Sequence, residues 1–127
     1  MIAVDTSALM AVVLREAKAG ACIAALEAEG EIVISAVTIT EALIVSGRRN
    51  IGDEMAGLID GLGLNIIEVS LASARRAAQA YAKWGKGIHA SGLNLGDCFA
   101  YEVAKQHRCP LLFVGSDFSR TDIKSVL

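Results

Sequence analysis

Residues 2–10, IAVDTSALM, decide the fold. A short apolar run stops at an aspartate, a Thr–Ser pair follows, and a second apolar stretch begins. This is the pattern of a buried strand handed over to a helix, because Asp, Ser and Thr accept bonds from the free N–H groups of a first helical turn. Three such residues stand where one cap suffices. With Thr6 or Ser7 as the cap, Asp5 is free to direct its carboxylate beyond the strand end, where ligands of α/β sheets bind.

The same alternation continues along the chain. IAV at 2–4, EIVIS at 31–35, NIIEV at 65–69 and PLLFV at 110–114 read as short apolar strands, and a fifth short strand is predicted near Ile123. Helices are predicted from Ser7 to about Arg15, Ala17 to Glu29, Ala36 to Arg48, Asp53 to Leu62, 71–84, and Gly96 to His107, with a glycine-rich loop at 85–95. Ser35 stands where it can cap the third of these helices, and Gly30 and Gly63 follow the ends of two others. Short apolar strands alternating with longer helices predict an α/β layer fold around a parallel sheet of about five strands, covered on both faces. A length of 127 residues without repeats or linkers predicts one domain, 1–127.

Bulk composition narrows the function. The chain is 54% hydrophobic with a mean hydropathy of +0.48, yet charge or glycine interrupts every apolar stretch well short of the ~20 residues a spanning helix needs. A start at MIAVD, without a basic leader, predicts no signal peptide. Cys22, Cys98 and Cys109 are odd in number and lack zinc-site spacing, which predicts reduced thiols in a cytoplasmic protein. The net charge of −2 argues against a generally basic nucleic-acid binder while leaving room for a local basic patch. So apolar a soluble chain is expected to cover surface against a partner or a second copy of itself.

Four acids stand apart. Asp5 ends the first strand, Glu41 lies among Ile39, Ala42, Leu43 and Ile44, Asp97 opens DCFAYEVAK, and Asp117 follows the fourth strand in VGSDF. Each has an ordinary structural reading: cap, polar stripe, dipole partner or turn residue. Jointly they read differently, because a charge on an apolar helix costs several kcal/mol without compensation and carboxylates gathered at one sheet edge repel. A divalent cation removes that penalty. Oxygen donors without Cys or His favour Mg²⁺ or Mn²⁺ over zinc, and Mg²⁺ keeps water and open positions for a phosphate. Phosphodiester hydrolysis then needs no histidine base.

Four segments carry a resemblance: MIAVDTSAL, ISAVTITEA around Glu41, YAKWGKGIHASGLNLGDCFAYEVAK through Asp97, and PLLFVGSDFSRTDI. Over essentially its whole length the chain resembles the PIN-domain ribonucleases, and more narrowly the VapC-type toxins of bacterial and archaeal toxin–antitoxin pairs. The resemblance implies a PIN-like α/β/α fold with five parallel strands, and a pocket in which Asp5, Glu41 and Asp97 match the family's metal-binding acids. It implies Mg²⁺-dependent endonucleolytic cleavage of RNA, with Mn²⁺ able to substitute, and neutralisation by a VapB-type antitoxin. The fourth acid departs from the pattern: Gly115 occupies the slot where many PIN domains carry an acid, leaving Asp117 as the choice and Asp122 as its substitute.

Further residues complete the reading. Arg48, Arg49, Lys83, Lys86 and His89 are candidates for the border of an RNA groove, against a reading as ordinary solvated charge. Trp84 is a candidate for base stacking, against a core or dimer-interface position. His107 reads as a helix C-terminal residue, Cys98 as a packing residue, and the oligomer as a homodimer. Two alternatives stand beside the ribonuclease: a haloacid-dehalogenase-like phosphatase with Asp5 as nucleophile, which lacks its second acid because position 7 is Ser, and a degenerate binding domain.

Overall fold

A computed structural model describes residues 1–127. Its strands are β1 (Ile2–Val4), β2 (Ile32–Ser35), β3 (Asn65–Ile67) and β4 (Leu111–Leu112). Its helices are α1 (Thr6–Val13), α2 (Ala19–Ala28), α3 (Ala36–Arg48), α4 (Gly52–Gly61), α5 (Leu71–Trp84) and α6 (Leu95–Gln106), followed by a 3₁₀ turn at Phe118–Arg120. All strand pairs are parallel, in the order β3-β2-β1-β4.

The two sides of each strand feed separate cores. Ile2, Val4, Ile32, Ile34 and Leu112 join Leu9, Cys22, Ala42 and Met55 of α1 to α4 on one face. Ala3, Val33 and Leu111 join Ala77, Ala80, Cys98 and Val103 of α5 and α6 on the other. This period of two gives the sheet a helical layer on both faces, as the all-apolar strands predict. After β3 the chain crosses the sheet through α5 and α6 to reach β4 at the opposite edge, so the strand order reverses between β1 and β4. Ligands of open α/β sheets bind at such a switch point, beyond the carboxyl ends of the strands.

Three expectations need correction. The sheet has four strands, and the tail contributes a single bridge, Leu111 to Ser125, because the sequence around Ile123 lies alongside a β4 only two residues long. β3 is an edge strand with Asn65 and Ile66 exposed, so it is not covered on both faces. The first cap is Asp5 itself: its side chain accepts from Ser7 N, with extended backbone at φ −95° and ψ 157°, and Thr6 and Ser7 both fall inside α1.

Candidate functional site

Asp5 is 4% exposed, and its two oxygens have different fates. Oδ2 accepts from Ser7 N at 3.0 Å and from Ser7 Oγ at 2.7 Å. Oδ1 is buried and has no partner. One oxygen therefore caps α1 while the other is left as an acceptor with nothing to accept. Ser7 Oγ also accepts from Val114 N at 3.0 Å, tying the end of β1 to the segment after β4 across the switch point.

Glu41 comes from the second turn of α3 and is half-buried rather than enclosed in apolar surroundings. Thr6 Oγ1 donates to its Oε1, so the residue expected as a helix cap serves as the partner of the second acid. On the other side the carboxylate lies against Gly96 in the first turn of α6, where a Cβ would collide with Glu41 Oε2.

Asp97 is 8% exposed at the third position of α6. Asn94 and Asp97 form a reciprocal capping box, Asp97 N donating to Asn94 Oδ1 at 2.9 Å and Asn94 N to Asp97 Oδ2 at 3.0 Å. The N-x-x-D spacing of this box is legible in the sequence. Burial first, and then the charges of Asp5, Asp117 and Glu41, together push the Asp97 carboxyl up to about 7 against the bond from Asn94. Burial likewise raises Asp5, against the Ser7 bonds and with a contribution from Glu41. The charges of the other three acids chosen from the sequence thus all act on Asp97.

Asp117 is exposed at the start of the 3₁₀ turn and its side chain makes no capping bond. Gly115 precedes it with φ +108°, a conformation costly for any other residue, so an acid in that slot would strain this turn. Asp122 is engaged elsewhere. Its oxygens take Tyr101 OH at 2.6 Å and Lys105 Nζ at 3.0 Å, and these bonds outweigh burial to hold its carboxyl below the ordinary value. The substitute for the fourth acid is thus a brace between α6 and the tail. Asp122→Ala is expected to leave RNA cleavage unchanged while lowering thermal stability, whereas Asp117→Asn lowers cleavage with the fold intact; a cleavage assay beside a melting curve separates them.

The other candidates are placed as follows. Arg48 lies two turns beyond Glu41 on the same stripe of α3, a rise of about 10 Å, and Arg49 is the residue after the helix. Both are exposed and neither belongs to an ion pair. Lys86 is exposed in the loop before α6. His89 Nδ1 is held by Ser91 N at 3.0 Å and Ser91 Oγ at 2.9 Å, with the ring edge-on to Trp84. Lys83 Nζ lies 4.9 Å from the centre of the Trp84 ring. Trp84 is half-buried and donates Nε1 to Tyr101 OH at 3.1 Å, an anchoring role rather than a free stacking platform. His107 closes α6, and Cys98 is buried, its thiol pushed up to about 11 by burial and by the Asp97 charge.

What can this arrangement bind? Its donors are carboxylate oxygens, one of them a buried orphan, and they repel until a cation or protons compensate. No three ligating side chains close into a ready cage. An incomplete oxygen set suits Mg²⁺, which keeps several waters, and does not suit zinc, which wants a closed tetrahedron of N and S donors.

The family model for the PIN domain matches residues 2–124. Ribonuclease VapC30 of Mycobacterium tuberculosis is 39% identical over 126 residues, covering 97% of this chain and 96% of that protein. Ribonuclease VapC42 of the same species is 39% identical over 125 residues, covering 95% of each. The crystal structure of M. tuberculosis VapC20, described as a sarcin–ricin-loop-cleaving toxin, superimposes with a TM-score of 0.81 at 16% identity, over 99% of this chain and 98% of that one. A toxin–antitoxin complex from Klebsiella pneumoniae gives a TM-score of 0.70 at 20% identity, over 96% and 93%. The chain belongs to the PIN-domain family and, within it, to the VapC ribonucleases. It is a nuclease, and the phosphatase and non-catalytic readings fall away. No helix is long and apolar enough to cross a membrane.

Proposed function

We propose that this ribonuclease toxin is a Mg²⁺-dependent endoribonuclease in which Asp5, Glu41, Asp97 and Asp117 hold the metal and Mn²⁺ can replace it. The observation that carries the reading is the buried, unpartnered Asp5 Oδ1 in a group of acids whose charges act on Asp97, a carboxyl pushed up to about 7 chiefly by burial. An unsatisfied buried oxygen costs about 1–3 kcal/mol, more when charged, so such a site is explained by a ligand. When bound, Mg²⁺ supplies positive charge that lets water ionise near neutral pH and offsets the charge of a scissile phosphate.

The protein's share is positioning. Ser7 fixes Asp5 and joins it to the β4 side, Thr6 fixes Glu41, and the Asn94 box fixes Asp97, so three of the acids are oriented before any ligand arrives. Asp117 stays exposed and free to adjust. Arg48, Arg49, Lys86 and His89 supply contacts to RNA phosphates around this acidic centre. The chain acts as a homodimer in the cytoplasm, within one domain spanning 1–127, and a VapB-type antitoxin neutralises it. The Klebsiella toxin–antitoxin complex of the same fold supports such a partner.

EDTA is expected to abolish cleavage of a structured RNA, and Mg²⁺ or Mn²⁺, but not Ca²⁺ at equal concentration, to restore it. Undiminished cleavage after exhaustive chelation defeats the reading.

A further inference from the structure

Among the glycines inside helices, Gly96 is the one where an added Cβ would clash. It lies inside the first turn of α6 and is not one of those with positive φ, so the backbone does not require it. A helical position with ordinary φ is better served by alanine, because glycine exposes backbone and carries more conformational entropy in the unfolded chain. The open space above it is not empty. The three atoms nearest to an added Cβ all belong to the Glu41 carboxyl group, Oε2 the closest, then Cδ at 2.8 Å and Oε1 at 2.9 Å, where ordinary contact starts near 3.4 Å. Here α3 from one face of the sheet meets α6 from the other. The carboxylate is thereby held from two sides, by the Thr6 hydroxyl on Oε1 and by the bare Cα of Gly96 beneath Oε2.

We propose that Gly96 is a positioning residue for the reaction: its missing side chain admits the Glu41 carboxylate over the first turn of α6, beside Asp97. The obstructed group is the far end of a flexible side chain, so a methyl at position 96 displaces the carboxylate and spares the helix. Glu41 must then leave Thr6 or swing away from Asp97, and the oxygen set opens. This inference rests on the proposed metal-dependent cleavage, and it separates a glycine kept for the site from one kept for the fold.

Gly96→Ala decides the matter. In EDTA its melting temperature is expected to equal or exceed that of the unsubstituted protein, since alanine favours the helix. Its affinity for Mn²⁺, read by calorimetry or by the free-ion paramagnetic resonance signal, is expected to fall about 10- to 100-fold, with kcat reduced and KM for RNA little changed. Shortening the acid removes the obstruction, so in a Glu41→Asp background the further change Gly96→Ala is expected to alter Mn²⁺ affinity by less than about 2-fold, the non-additivity of two groups in contact. Unsubstituted Mn²⁺ affinity and kcat in Gly96→Ala overturn the inference. If Gly96→Ala melts early, relief of both the melting and the Mn²⁺ defect by Glu41→Asp supports it, and absence of relief overturns it. Failure of the unsubstituted protein to bind Mn²⁺ refutes the metal-dependent reading itself, a result read before any variant is made.

Discussion

Asp97→Asn and Asp5→Asn proteins are expected to lose RNA cleavage by more than about 100-fold in Mg²⁺, beyond the 10- to 100-fold that loss of an outer metal contact brings. Both should fold. Asparagine keeps the size of aspartate and an amide oxygen that can still accept a capping bond, as Asn94 does within the same box. What disappears is a negative charge in a buried group, and burial is the largest reason both carboxyls are pushed up. In EDTA the two variants are therefore expected to be as stable as the parent or more so. Activity and stability should move in opposite directions, which a merely structural role for these residues does not produce. Urea melts in EDTA measure one side; the other is read by sequencing RNA ends after brief induction of the parent and of Asp97→Asn, which also names the substrate. Equal cleavage by a folded Asp97→Asn protein defeats the assignment.

The second large effect is a reversal of pH dependence by metal. Asp97 titrates near 3.8 in a free chain and near 7 in the folded protein. Between those values the native state keeps a proton that the unfolded state has released, so stability falls as pH rises through this window and levels off above it. Asp5 is shifted in the same direction and steepens the fall. Metal and proton compete for the same oxygens, so Mg²⁺ is expected to stabilise the protein little at pH 5 and strongly at pH 8. At a free concentration of 100 times Kd the gain is about 2.7 kcal/mol, several degrees of Tm. Melting curves from pH 5 to 8 with EDTA or Mg²⁺ should diverge steadily. Parallel curves would show that the acids take up no cation, and a metal-free stability that rises over this window would show that they are not forced together.

Some of this was legible in residue order because it is local chemistry. α5 spans the predicted 71–84, since its helix-forming residues need no tertiary help to be recognised, and Ser70 caps it. The third helix likewise spans its predicted range behind Ser35. Local rules failed where a residue has two possible partners. Asp5 was to be relieved of capping by Thr6 or Ser7, yet it caps with one oxygen and offers the other, a division of labour that depends on the chain passing Thr6 to Glu41, 35 positions away. Asp122 and Asp117 could not be separated by spacing, because only the packing of the tail against α6 brings Tyr101 and Lys105 to the first and leaves the second free.

Asp97 carries the lesson most clearly. By itself an acid in the first turn of a helix is stabilised in its charged form by the helix dipole and by its cap. The sequence determines that much: the helix, the N-x-x-D spacing of its cap and the acid's type. The tertiary structure reverses the electrostatic outcome, because crossing the sheet from β3 to β4 seats that helix end at the switch point beside Asp5, Glu41 and Asp117, in a place that water reaches poorly. Charge repulsion and desolvation act through space, and the order of residues encodes them only once the fold has closed.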